Sequence, residues 1–200
     1  TVAMTGDGVN DILALKEADT SIAMASGSEA ARNVSHLVLL DSNFSSMPKV
    51  VSEGRRVINN VQRVSTLFLT KTIFSFLLAI VAIIRKGVYP IQPNQLILID
   101  YLVIGIPSFF LALEPNNKQV KGKFLWNILK AALPGALVVM INSLIIFAFQ
   151  NSLAMSDKVT ETLVVISATV VSLTVLFRVS APFNKMRRIL FTLMVGAFLF

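Results

Sequence analysis

Cysteine is absent from this chain. A disulfide framework, thiolate metal ligands and a cysteine nucleophile are excluded with it. Charge is scarce: only 14% of the residues are Asp, Glu, Lys or Arg, against roughly a quarter in an ordinary soluble domain. Histidine occurs once, and His36 is expected on the surface beside a short strand, with no ligand partner. No basic run is interleaved with aromatics, which argues against nucleic acid as a partner despite a formal charge of +7. No signal peptide is expected here, because Thr1-Val2-Ala3-Met4 reads as a buried strand.

What is present is apolar sequence, 54% of the chain, gathered into runs long enough to cross a bilayer. Residues 1–45 stand apart as the soluble part. Short apolar runs at 2–4, 21–24 and 37–40 alternate with helical stretches at 11–18 and 28–34, the second N-capped by Ser28. That alternation predicts a parallel, Rossmann-like α/β sheet whose partner strands lie upstream. Ser46 and Pro48 then start a helix. It continues as a polar stalk over 46–63, past Glu53, Arg55, Arg56 and Arg63, into a first span at 64–84.

A transmembrane helix bundle is expected over 64–200, with further spans at 95–113, 131–149 and 159–179. The run at 189–200 is shorter than the ~20 residues a span needs. With the strand-like opening, it predicts a stretch cut at both ends. Arg55, Arg56 and Arg63 precede the first span; Lys118, Lys121, Lys123 and Lys130 separate the second and third; Arg178, Lys185, Arg187 and Arg188 separate the fourth and fifth. The other face carries only Arg85, Lys86 and Lys158. The excess of positive charge predicts that residues 1–63 are cytoplasmic.

Residues 5–15 hold the densest chemistry, Thr5-Gly6-Asp7-Gly8-Val9-Asn10-Asp11-Ile12-Leu13-Ala14-Leu15. A strand ending here sets Asp7 at the carboxyl edge of a parallel sheet, where open α/β sheets bind ligands. A carboxylate on a tight Gly turn suits Mg²⁺, which takes one or two carboxylates with phosphate oxygens and water. Gly6 and Gly8 free backbone N–H groups for phosphate. Asn10 can bond a phosphoryl oxygen, and Asp11 can orient either the surroundings of Asp7 or a metal-bound water.

Two charges fall inside the spans, and such charges are candidates for function. They are Lys71 in the first span and Asp100 in the second. Counting helical rise leaves about 10 Å of axial offset between them, part of which a lysine stem covers. Gly105 and Pro107 predict an interruption of the second span, which frees carbonyls beside a site. Thr70, Thr72, Ser75 and Asn142 offer oxygen ligands, each with a competing bond to its own backbone.

The string at 5–15 resembles the hinge motif of P-type ATPases, members of the haloacid-dehalogenase superfamily. Lys16, Ala18, Ile22-Ala23-Met24, Gly27, Ala30, Leu37-Val38-Leu39, Asn43-Phe44, Glu53-Gly54-Arg55 and Asn59-Asn60 extend the likeness over the first sixty or so residues; the membrane half agrees by layout. The resemblance implies ATP-driven transport through an aspartyl-phosphate, with Mg²⁺ and ATP as cofactors. It implies Asp7 as Mg²⁺ ligand, Asn10 and Asp11 ordering the phosphorylation site, and Thr5 and Gly6 beside the phosphoryl group. It also implies a phosphorylated aspartate, a nucleotide domain and an actuator loop that these 200 residues lack. This stretch is therefore expected to need the N-terminal remainder of its polypeptide, and to hydrolyse no ATP alone.

In the membrane, 100–107 resembles the calcium pumps' Asn-x-x-Thr-Asp-Gly-x-Pro, with Asp100 at the Asn position and Val103 and Ile104 at the Thr and Asp positions. Thr72 and Ser75 stand where calcium pumps have Asn and Glu. Lys71 is similar to the intramembrane lysine of gastric proton/potassium pumps. The resemblance implies a bacterial calcium-type exporter of Ca²⁺ or another small cation, with Lys71, Thr72, Ser75 and Asp100 at the transport site. A lipid or polyamine translocase is the alternative cargo reading; a soluble phosphatase and an inert membrane scaffold are the alternatives outside transport. Lipid and the transported cation are the expected partners, in a bacterial plasma membrane.

Overall fold

The computed structural model describes residues 1–199, and residue 200 lies outside the described residues. The chain divides into two compact units, Thr1–Gly54 and Arg55–Phe200.

The first unit is a small α/β layer. Strands β1 (Ala3–Gly6), β2 (Thr20–Met24) and β3 (Leu37–Leu39) form a parallel sheet in the order β1-β2-β3. The register sets Thr5 beside Ile22 and Ala23 beside Val38. Helix α1 (Ile12–Glu17) links β1 to β2, and α2 (Glu29–Val34) links β2 to β3. Parallel neighbours need such crossovers, and the helices cover the sheet's apolar side. Leu15, Ile22, Ala23, Ala31 and Leu39 are buried in this unit. Ser28 caps α2 as expected, its Oγ accepting from Ala31 N at 3.2 Å. Residue His36 is exposed, yet its Nδ1 accepts from the backbone N–H of buried Ser21 at 3.0 Å. It therefore ties the approach to β3 onto β2.

Helix α3 (Met47–Ile84) has 38 residues, a length of about 57 Å at 1.5 Å per residue. Pro48 sits in its first turn, where no donor is required. The unit boundary falls inside this helix.

The second unit is helical. After α3 come α4 (Pro93–Ile99), a π-helical segment Asp100–Gly105, α5 (Ile106–Leu113), α6 (Phe124–Gln150), α7 (Asp157–Ser180) and α8 (Lys185–Leu199). Among the described residues, four segments are long and apolar enough to cross a membrane: Phe44–Ile84, Pro93–Leu113, Phe124–Gln150 and Asp157–Ser180. The core joins Phe74 and Leu78 of α3 with Ile99, Val103 and Leu111, with Ala136 and Val139 of α6, and with Val164, Ala168 and Leu176 of α7. Small residues at the α6 and α7 positions let the backbones approach. Large apolar side chains such as Phe76, Ile83 and Leu125 remain exposed, as a lipid-facing surface requires.

Three sequence expectations need correction. The interruption at Gly105 and Pro107 is not an unwound break: the chain stays helical, in π form, over Asp100–Gly105. Pro107 has no N–H and its ring crowds the carbonyl of Val103, so a wider turn accommodates it. Ile106 N accordingly donates to Tyr101 O, five residues back. Lys130 lies within α6 rather than in the loop before it, because α6 begins at Phe124. Arg187, counted with the basic residues between the fourth and fifth spans, lies within α8 and is buried.

Candidate functional sites

The first site is the turn that follows β1. A 3-10 turn, Val9–Asp11, carries the chain from the strand into α1. Asp11 organises it: its Oδ2 accepts from the backbone N–H of Asp7 at 3.1 Å and of Gly8 at 3.0 Å. Asp11 thus orients the surroundings of Asp7. Gly6 makes room for that carboxylate, since a Cβ there would lie 2.7 Å from Asp11 Cβ. The loop after β2 closes the other side. Ser28 N donates to Asp7 O at 2.7 Å, and a Cβ on Gly27 would lie 2.6 Å from Asp7 O. The backbone of Asp7 is thus clamped from both sides.

The side chains of Asp7 and Asn10 remain free. Both residues are exposed, and neither side chain has a protein hydrogen bond among the described residues. Thr5 lies half-buried at the end of β1. The donor set fits Mg²⁺ in one respect: a carboxylate on a fixed backbone, with no internal competitor. It also sets a limit, because no group of three or more His, Cys, Asp or Glu side chains able to hold a metal occurs among the described residues. A cation here would draw its remaining ligands from water and a phosphate group, the coordination Mg²⁺ favours.

The second site lies in the helical unit. Lys71 Nζ stands 2.7 Å from both Asp100 Oδ1 and Asp100 Oδ2. Side-chain length spans the axial offset left by counting rise, so the two charges pair. Pairing offsets much of the cost of either charge in hydrocarbon. Lys71, Thr72, Ser75, Asp100 and Gly105 line one cavity of about 650 Å³. Thr72 Oγ1 donates to Phe68 O at 3.0 Å and Thr70 Oγ1 to Thr66 O at 2.8 Å, each within its own helix. Asn142 instead reaches across to Ser167 Oγ at 3.0 Å. Ser75 differs from these: its Oγ is buried with no hydrogen-bond partner. Its Oγ and the Asp100 carboxylate are thus cavity oxygens not tied to their own helix.

A third cluster escaped sequence reasoning. Glu114, 5% exposed, accepts from Arg187 Nε and is ion-paired to Arg187 Nη2. Asn184 Nδ2 also donates to Glu114, and Arg63 Nη1 lies 4.0 Å away. Arg187 Nη1 donates to Ser180 O at 2.9 Å and Pro182 O at 2.8 Å. Asn60 Nδ2 on α3 donates to Ala112 O and Glu114 O, and Asn59 Nδ2 to Asn116 O and Lys118 O. This knot fastens α3, the loop after α5 and the start of α8. One signal pointed to it: Glu114 is the single acidic residue between Asp100 and Asp157, at the end of an apolar run.

A family pattern described as haloacid dehalogenase-like hydrolase matches residues 1–51, the stretch that holds the Asp7 turn. The calcium-transporting ATPase CtpE of Mycolicibacterium smegmatis is 43% identical over 95% of this chain and 26% of its own length. The "Probable cation-transporting ATPase exp7" of Streptococcus pneumoniae is 42% identical over 100% of this chain and 27% of its own length. The P-type sodium-transporting ATPase4 of Toxoplasma gondii is 38% identical over 60% of this chain and 9% of its own length. The chain thus spans about a quarter of the length of the bacterial relatives it matches. With the four membrane-length helices among its described residues, it is part of a multi-pass integral membrane protein. The likeness reaches from the Asp7 turn through the helical unit, and the chain belongs to the P-type ATPases.

Proposed function

We propose that the polypeptide containing this chain is a Mg²⁺- and ATP-dependent cation pump that works through an aspartyl-phosphate. Ca²⁺ or another small cation is its cargo, and residues 1–63 face the cytoplasm. The observation that carries this reading is a free carboxylate at Asp7 on a clamped backbone, on a chain whose third helix, α3, is long and apolar enough to enter the membrane. The bacterial relatives named as calcium- and cation-transporting favour a cation over a lipid or polyamine.

In this reading Asp7 would hold Mg²⁺, which supplies charge neutralisation to the transferring phosphoryl group. Asp11 keeps the N–H groups of Asp7 and Gly8 engaged, so Asp7 is presented in one orientation. Asn10 and the backbone at Thr5 and Gly6 position the phosphoryl oxygens. Gly27 and Ser28 hold the turn against displacement. In the membrane, Asp100 and the unpartnered Ser75 oxygen receive the cation. Lys71 is displaced from Asp100 when the cation arrives and returns to it afterwards, as a tethered counter-cation that keeps the empty site neutral.

The test is the phosphoenzyme. Full-length protein incubated with Mg²⁺ and labelled ATP should form an acid-stable, hydroxylamine-sensitive adduct. Asp7→Asn should lower that adduct by about a hundredfold or more, as removal of a preorganised electrostatic group does. An adduct of undiminished yield in Asp7→Asn would remove Asp7 from the chemistry.

A further inference from the structure

A cavity of about 300 Å³ lies in the helical unit, away from the Lys71–Asp100 pair, bounded by α3, the loop before α6, α6 itself and the end of α7. Three of its lining residues are cationic, Arg63, Lys118 and Arg178, and none is acidic. Lys118 and Arg178 are exposed, and neither has an acidic partner among the described residues. Arg63 is only weakly compensated: Glu114 is 4.0 Å away and already engaged by Arg187 and Asn184. Two donors on this wall are buried and unsatisfied, Arg63 Nη1 and Gln62 Nε2. Buried donors without acceptors are costly, so an acceptor-rich anion would satisfy what the protein leaves open.

The loop that carries Lys118 is held in place rather than loose, because Asn59 Nδ2 donates to Lys118 O at 2.8 Å and to Asn116 O at 3.0 Å. The opposite wall is apolar, formed by Ile128, Val175 and Val179. Arg63 stands where α3 turns apolar, and Arg178 stands at the end of α7. The cavity therefore sits at the edge of the hydrocarbon, on the face richest in Lys and Arg. That is the level of lipid headgroups, and basic pockets between membrane helices suit anionic ones.

We propose that this cavity is a binding site for a phosphate group, and that the group belongs to an anionic phospholipid whose chains lie along the apolar wall. Arg63 and Gln62 donate to the phosphate oxygens from within; Lys118 and Arg178 close on it from the rim.

The test uses the full-length protein in phosphatidylcholine nanodiscs doped with phosphatidylglycerol, with retained lipid read by native mass spectrometry. Lys118→Gln combined with Arg178→Gln should weaken phosphatidylglycerol retention by about tenfold or more. Both side chains are exposed, so the variant is expected to fold; Arg63 is left intact because it borders the Glu114 knot. Lys130→Gln combined with Lys185→Gln removes the same charge from the same face outside the cavity, and should change retention by less than about threefold. Equal weakening by the two pairs would reduce the effect to diffuse surface attraction and overturn the site. Phosphatidylglycerol retained no better than phosphatidylcholine would overturn the lipid as the source of the phosphate, and the whole site if inorganic phosphate also fails to bind. Inorganic phosphate is the second arm. If millimolar phosphate binds and phosphatidylglycerol does not, the phosphate chemistry stands and its source is soluble; if phosphate fails to compete, the lipid is the source.

Discussion

The turn around Asp7 and the cavity around Lys71 are built from opposite materials. The turn is backbone geometry: Asp11 holds two N–H groups, Ser28 N holds Asp7 O, and Gly6 and Gly27 stand where no Cβ fits. The membrane cavity is side chains: one ion pair, one unpartnered hydroxyl and apolar walls. A site fixed by backbone tolerates little change, which suits chemistry that stays the same whatever is carried. A site fixed by a few side chains is retuned by one substitution, which suits cargo selection. The relatives fit this division, since those named for calcium and for sodium both share sequence with this chain.

The contrast should break most sharply at Asp7, where Asn is expected to lower phosphoenzyme by about a hundredfold or more at every cation concentration. Gly27→Ala comes next. Its new methyl meets backbone, which cannot swing aside, so the first unit should lose about 1–3 kcal/mol. Thermal unfolding followed in the full-length protein checks this, and a variant as stable as the parent would show that the loop yields. Lys71→Ala should leave phosphorylation intact and slow turnover several-fold, about 1 kcal/mol in barrier. ATPase rate against cation concentration reads it, and unchanged transport and ATPase rates would end the counter-cation role.

The smallest effect is expected at Asp41, outside the membrane. The Ser46 hydroxyl, and then the backbone N–H of Asn43, hold its carboxyl below the ordinary carboxylate range. Its folded pKa is depressed, so its stabilising contribution is present above the ordinary pKa of about 4. That contribution fades as pH falls through the lower folded value. Asp41→Asn should therefore reduce stability slightly at neutral pH and converge with the parent in acid. A gap between the two that widens on acidification would reverse the sign.

How legible each region was follows from the same contrast. The Asp7 turn could be read because its interactions are local: strand, Gly turn, Asn and Asp lie within six residues, and Ser28 announced its own cap. Lys71 and Asp100 could be read as misfits in apolar runs. Their pairing could not, because it depends on how two helices pack across 29 residues of sequence. The π-helical segment was read as a break because Pro107 signals a missing donor, not how the helix absorbs it. The Glu114–Arg187 knot was hidden by a separation of 73 residues, and Arg187 looked like one more basic residue on a membrane flank.

The division of labour is tested most directly by Asp100→Asn in the full-length protein, reading two quantities from one preparation: phosphoenzyme formed from inorganic phosphate with Mg²⁺ and no transported cation, and the cation concentration that half-saturates ATPase activity. The expected result is an adduct within about twofold of the parent and half-saturation raised about tenfold, the loss of one charged ligand at about 1.4 kcal/mol. Half-saturation unchanged for every cation tried, or an adduct lost together with cation response, would contradict the separation of chemistry from cargo.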